Sequence, residues 1–380
     1  MMLLAFSASA ETFIVSPVYL DAYSIQDAIN KAQDGDRIIV KSGTYLESLN
    51  VTKSLVLVGV NTGGGQPLVD AGDKGSAIIL IADGIRLEGF DAGNSGAGAD
   101  DAAIKVLSDG NLLRDNVASN SSYGIYLYDC MNNTLVNNVA RRNDVGIALY
   151  SARNNTVRGN TARNNSFGGF ILGLSRGNSL MENTAVRNAW VGIFLSDSEG
   201  NTLRENVGEM NDNEGIWLLN SSRNWLSGNA VSKSFISGIR LVRSHNNTIA
   251  HAECSGNLDG ISLEASRDNI VTGNNLSNNN YGIYLDDSSD NRLYLNNFQD
   301  NVDNVYSWQS INSWNTSRTL SYQYNGLILY SRLGNFWSDY QGRDGLGQGV
   351  GQQYHVHGPV TDYWPLSSRI DRYLVRGLPG

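Results

Sequence analysis

The chain reads as an all-β protein built as a parallel β-helix, and three observations predict it. A Gly-Ile-x-Leu motif recurs at steps of 22 or 23 residues: Gly124-Ile125-Tyr126-Leu127, then from Gly146, Gly169, Gly192, Gly215, Gly238, Gly260 and Gly282. A fixed period in this range marks a solenoid of stacked supersecondary units. A second short apolar segment follows nine residues after each glycine, as in Asn133-Thr134-Leu135 and Asn201-Thr202-Leu203. Five residues further on stands another Asn (Asn138, Asn160, Asn183, Asn206, Asn229, Asn274, Asn296), with Ala252 breaking the column. Strands of three to five residues separated by Asn and Gly corners cannot pair within a turn. They pair with the equivalent strand of the next turn, which gives three parallel sheets.

The elements follow in order. Residues 1–10 end in Ala8-Ser9-Ala10, a small-residue cleavage pattern, and read as the remnant of a signal peptide. Residues 11–60 are expected to form an N-terminal cap and the first rungs. Thr12–Val15 reads as a lead-in strand. Ser24-Ile25-Gln26-Asp27 resembles a capping box, and Ile25, Ala28, Ile29 and Ala32 share one face of a short helix over 24–33. A helix sealing the first rung covers an otherwise open core. Residues 61–297 carry the repeats, with Gly63–Gly65 and Asp91–Asp101 expected as loops. Residues 298–366, dense in aromatics, read as a C-terminal cap. Residues 367–380 read as a peripheral strand or a frayed tail.

Composition narrows the function. Net charge is −9 with a pI near 5.0, so no basic field exists to attract nucleic acid. No run reaches the ~20 apolar residues of a membrane span. Cys130 and Cys254 lie more than five repeats apart, on the order of 25 Å at about 4.8 Å per rung, too far for a disulfide. Asn-x-Ser/Thr sequons such as Asn50, Asn120 and Asn315 fit an exported protein. The Asn columns are expected to be structural hydrogen-bond ladders.

The repeat, together with Ile25-Gln26-Asp27-Ala28-Ile29, Asp34-Gly35-Asp36-Arg37-Ile38, Leu333-Gly334-Asn335-Phe336-Trp337-Ser338-Asp339-Tyr340 and Asp362-Tyr363-Trp364-Pro365-Leu366, resembles the NosD-type, or carbohydrate-binding and sugar-hydrolysis, β-helix family. It is most similar to archaeal, methanogen-like surface members. The resemblance covers about 24–366. It implies a single-stranded right-handed parallel β-helix of the pectin-lyase-like kind and export. It also implies either copper-site maturation of nitrous oxide reductase or a carbohydrate-related surface role. One departure bears on calcium. Leu346, Gln348 and Gln352 stand where an acidic loop of the family would place carboxylates, so no calcium site is expected there.

Three sets of residues carry candidate chemistry. Alternation along Gly-Ile-x-Leu turns Ile and Leu inward and x outward. The outward columns then hold Tyr126, Tyr128, Tyr150, Phe194, Trp217, Arg240 and Tyr284, rings that suit stacking on successive sugars or a contact with another surface protein. Glu264 and Asp286 fall in one outward column on adjacent rungs, a spacing that allows acid and nucleophile roles on a glycoside. His355-Val356-His357 places two imidazoles on one strand face, the simplest pattern that reaches a copper ion. The reading that follows is a secreted or cell-surface protein that binds a polysaccharide, a surface glycan or another extended polymer, with no catalysis demonstrated by the sequence. A polysaccharide-active hydrolase, lyase or epimerase and a NosD-type copper-handling accessory protein are the alternatives.

Overall fold

The computed structural model describes residues 10–17, 24–357 and 360–376, the side chain of His357 excepted. The expected signal-peptide remnant lies almost wholly outside them. Two compact units divide the chain, Met1–Ser166 and Phe167–Gly380.

In the first unit, short parallel strands stack in three sheets. Thr12–Val15 pairs with Arg37–Lys41, which pairs with Val56–Val60. The same sheet continues through Arg86–Glu88, Leu112–Arg114, Thr134–Val136 and Thr156–Arg158. The Gly-Ile-x-Leu sheet runs from Leu49–Val51 through Ile78–Leu80, Ala102–Val106 and Tyr123–Tyr128 to Val145–Tyr150. Asp91–Gly93, expected within a loop, is instead a strand of the third sheet, between Leu68–Asp70 and Val117–Ser119. Its Ala92 enters the core column with Val69 and Ala118, so burial of one small side chain carries the strand despite its Gly and Asp neighbours. Helix α1 (Ile25–Lys31) is shorter than the expected 24–33. Ser24 caps it by accepting from the Asp27 amide at 3.0 Å. Glu47, rather than a residue of the helix, accepts from the Ile25 and Gln26 amides.

The second unit repeats the plan. Its Gly-Ile-x-Leu sheet holds Gly168–Gly173, Val191–Ser196, Ile216–Leu219, Ser237–Val242, Asp259–Glu264 and Tyr281–Asp286. Inward Ile and Leu of these strands are fully buried. The glycine recurs because nothing else fits. A Cβ on Gly192 would sit 2.5 Å from the Gly215 carbonyl oxygen of the next rung and 2.7 Å from Asn211 Nδ2.

Buried asparagines tie the rungs together. Asn224 donates its backbone N–H to Asn247 Oδ1 at 2.8 Å, and Asn247 donates to Asn269 Oδ1 at 2.8 Å. A second ladder runs through Asn274, Asn296 and Asn335. The sequence pattern did not single out a third (Asn257, Asn279, Asn301), nor a serine ladder (Ser198, Ser221, Ser244, Ser266, Ser288). Each satisfies backbone amides that the corners would otherwise bury unpaired.

The repeat does not stop at 298. Asp303–Trp308 adds a further strand to the Gly-Ile-x-Leu sheet, and Phe336–Trp337 adds one to the third sheet. The cap is thus one more turn of the coil, interrupted by the hairpin Leu320–Tyr324 and Leu327–Ser331. Leu374–Val375 pairs with that hairpin, and Tyr373 packs with Tyr322, Tyr324 and Leu366, so residues 367–376 are docked rather than frayed.

Candidate functional site

The outer face of the Gly-Ile-x-Leu sheet collects the candidate side chains in both units. In the first unit Tyr128 and Tyr150 are stacked, 5.9 Å between centroids and 2° between planes, and each is more than two-fifths exposed. Tyr126 departs from the expectation. It is buried, with Tyr123 stacked on it at 4.6 Å and the Lys105 ammonium 5.8 Å from its ring. Its own neighbours cover it, and burial raises its phenol pKa.

Tyr123 reveals how the face is built. Strict alternation would place residues three apart on opposite faces. The tight glycine between them absorbs one step, so the residue before Gly and the x residue face the same way. Tyr281 and Tyr284, 6.1 Å apart, repeat the arrangement. The face therefore has a third column, which in the second unit reads Glu214, Ser237, Asp259, Tyr281, Asp303. Glu214 and Asp259 were not among the residues expected from sequence. The signal was present as the position preceding each glycine.

The second unit presents a ring cluster, a charged centre and a second ring cluster. Trp190 lies 5.2 Å from Phe194, 5.3 Å from Trp217 and 4.3 Å from Phe167. Tyr284 stacks on Tyr306 at 4.7 Å. Between them Arg240 donates from Nη1 to Glu214 Oε1 at 2.8 Å. It also donates from Nε and Nη2 to the two oxygens of Glu264 at 2.9 and 3.0 Å. The guanidinium stands 5.4 Å from the Trp217 ring. Glu214 is 1 % exposed, and its Oε2 has no hydrogen-bond partner. Burial raises its pKa, and the hydrogen bond and charge of Arg240 oppose that rise. Asp259 Oδ2 accepts from Ser237 Oγ at 3.1 Å, and burial pushes its carboxyl up to about 6.

Glu264 and Asp286 are register partners on adjacent strands. Glu264 is held by Arg240, while Asp286 lies beside Tyr284, whose phenol pKa is raised first by burial and then by Asp286. At the edge where chains enter these strands, Met210, Asp212, Lys233, Phe235, Leu258 and Asn280 line a groove of about 750 Å³. Phe235 is 80 % exposed there.

His355 is on a two-stranded sheet with Val360–Asp362. Its Nδ1 is 3.0 Å from Thr361 Oγ1 and its Nε2 is 2.8 Å from Gln353 Nε2. The side chain of His357 lies outside the described residues. Cys130 and Cys254 are free and buried, and burial pushes the Cys130 thiol up to about 12 and the Cys254 thiol up as well. In the Gly-rich segment after Tyr340, Asp344 accepts from the Gln348 and Gly349 amides and closes the loop on itself.

A family model described as "Periplasmic copper-binding protein (NosD)" matches residues 69–212 and 186–342. Comparison with curated proteins returns no match. Among solved structures, the A-module of an Azotobacter vinelandii mannuronan C-5 epimerase superposes with a TM-score of 0.53 at 16 % identity, covering 76 % of this chain and 92 % of that one. A periplasmic alginate epimerase gives 0.53 at 18 % identity, with 76 % and 82 % covered. The Dettilon tailspike protein gives 0.59 at 14 % identity, with 79 % and 68 % covered. These likenesses establish the parallel β-helix fold.

Proposed function

The chain belongs to the NosD family, described as periplasmic copper-binding proteins, and within that family we propose that this member binds a polysaccharide on the outer face of its Gly-Ile-x-Leu sheet. The observation that carries this reading is the sequence of surfaces in the second unit. Rings Trp190, Phe194 and Trp217 are followed by the hydrogen-bonding centre Glu214, Arg240, Asp259 and Glu264, and then by Tyr284 and Tyr306. Flat rings present apolar area to sugar C–H faces, and carboxylates and amides fix hydroxyls. Rungs about 4.8 Å apart repeat these contacts along an extended chain. Fold neighbours named as alginate epimerases are in keeping with a polymer laid along such a face. The family is described as periplasmic, which agrees with action outside the cytoplasm. No described helix is long and apolar enough to cross a membrane.

Among the described residues the donors do not assemble a site for a resident copper ion. Both His355 ring nitrogens are within hydrogen-bonding distance of Thr361 and Gln353, and both thiols are held protonated by burial. Among the described residues no three His, Cys, Asp or Glu side chains converge.

Titration calorimetry against soluble polysaccharides tests the binding reading. Trp217→Ala is expected to weaken binding at least about tenfold, roughly 1.4 kcal/mol. Binding that survives Trp217→Ala unchanged, or its absence with every polymer tried, removes the reading. A second reading, catalysis on the bound polymer, is favoured by Asp259, which burial pushes up to a pKa of about 6, on the same face as Glu264, which Arg240 holds. Release of reducing ends or unsaturated products that is lost in Asp259→Asn and Glu264→Gln supports it. Product release unchanged in both removes it.

A further inference from the structure

The charged centre of the second unit favours one class of sugar, and this follows from which groups there are already engaged. Arg240 directs Nη1 to Glu214 and Nε and Nη2 to Glu264, and Trp217 stands against its guanidinium. Its charge is thus committed to two carboxylates and is not free for a third. On the acceptor side the situation is the reverse. Glu214, nearly fully buried, has an Oε2 without a partner. Asp259 receives the Ser237 hydroxyl on Oδ2, and neither Asp259 nor Asp286 forms an ion pair among the described residues. Asp303 adds another carboxylate beyond Tyr281 on the same column. Glu214, Asp259, Glu264 and Asp286 against the single Arg240 leave a net negative face. A ligand here meets acceptors rather than free cationic donors.

We propose that this centre selects sugars bearing a free ammonium group and rejects uronates, because Asp286, and Asp259 at its edge, bring carboxylates without a cation of their own to this face, while Arg240 is already engaged by Glu264 and by Glu214, whose second oxygen stays unpaired in the wall beneath. The inference rests on the polymer-binding reading above and adds the charge of the polymer to it. It sets this chain apart from fold neighbours named for alginate, an acidic polymer. An ammonium placed on this face gains from charge-assisted hydrogen bonds to the accessible carboxylate oxygens and from the net negative charge beneath them. A uronate carboxylate in the same place must desolvate against like charge.

The test is titration calorimetry of the full chain with three oligosaccharides of equal length: a glucosamine oligomer, its fully N-acetylated counterpart and an oligogalacturonate. At about 0.05 M salt the glucosamine oligomer is expected to bind at least ~10-fold tighter than the N-acetylated one, with the oligogalacturonate weakest. Raising salt to about 0.5 M should shrink the ratio, because screening acts on the charge term and not on ring stacking. Asp286→Asn, a change at a half-buried position that keeps the side-chain shape, should lower the ratio of ammonium to neutral ligand. An oligogalacturonate that binds as tightly as the glucosamine oligomer, or equal affinity for the charged and N-acetylated forms, overturns the charge preference alone. Failure of all three to bind overturns the polymer-binding reading and this inference with it.

Discussion

Arg240→Met cuts the one cation out of the candidate site and leaves Glu214 buried without a counter-charge. The side chain of Glu214 is 2 % exposed, and that of Arg240 is 24 % exposed. Removing one partner of a buried ion pair costs about 3–5 kcal/mol, and the quarter of Arg240 that reaches water puts this pair at the lower end, about 3 kcal/mol. Glu214 can escape by taking a proton, which sets a ceiling. From an ordinary glutamate value of 4.5, neutralisation costs about 1.4 kcal/mol per pH unit, roughly 4 kcal/mol at pH 7.5 and under about 1 kcal/mol at pH 5. The sign is fixed by proton counting. The folded variant holds a proton that the unfolded chain releases, so its stability falls as pH rises above the unfolded value. The loss on Arg240→Met is therefore about 3 kcal/mol at pH 7.5 and under about 1 kcal/mol at pH 5. Urea unfolding followed by tryptophan fluorescence at the two pH values measures it, with the m-value as a check that the unfolded state is unchanged. Adding Glu214→Gln should recover at least about half of the loss at pH 7.5, because the stranded charge is gone. An equal loss at both pH values, or no recovery in the double variant, refutes the account of a stranded carboxylate.

Asn247→Ala should cost about 2–5 kcal/mol in chemical denaturation, because it leaves the Asn224 amide and the Ser221 carbonyl without their partners inside the wall. Ala252→Asn fills the gap in its column, where the Ala252 amide already donates to Asn274 Oδ1, and should stabilise by roughly 1 kcal/mol. Asp362 accepts from the Asn335 amide, Trp337 Nε1 and the Trp364 amide, and burial still lifts its pKa to about 6. Its raised value makes a stability contribution that is full below about pH 4 and lost by about pH 6. Asp362→Asn should therefore flatten the stability profile over that window relative to the parent chain. Trp217→Ala should cost about 1–3 kcal/mol of unfolding free energy, because the half-buried ring packs against Trp190, Phe194 and the Arg240 guanidinium.

Asn247 and Glu214 show where sequence reading reaches and where it ends. The Asn247 column was legible because a ladder demands the same side chain at the same point of every rung, and a period of 22 or 23 makes that visible. Gly192 and its equivalents were legible for the same reason, although the cause, a neighbouring carbonyl at 2.5 Å, is a fact of stacking. Glu214 and Asp259 were not legible. The alternation rule hid their column, and only the close approach at the glycine turns them onto the face of Trp217 and Arg240. Tyr126 failed in the opposite sense: its column was identified, but Tyr123 and Lys105 cover it. The final turn through Asp303–Trp308 was missed because Asn304 and Ser307 replace the Gly and Leu of the motif, although the 22-residue step holds. The sequence by itself determined the repeat, the three sheets and the inward Ile and Leu, since a periodic backbone imposes periodic burial. Only tertiary structure decided which outward groups are already paired and which acceptors remain free. Those pairings run between rungs, across 24 and 26 residues for Arg240, and no local pattern in the chain encodes them.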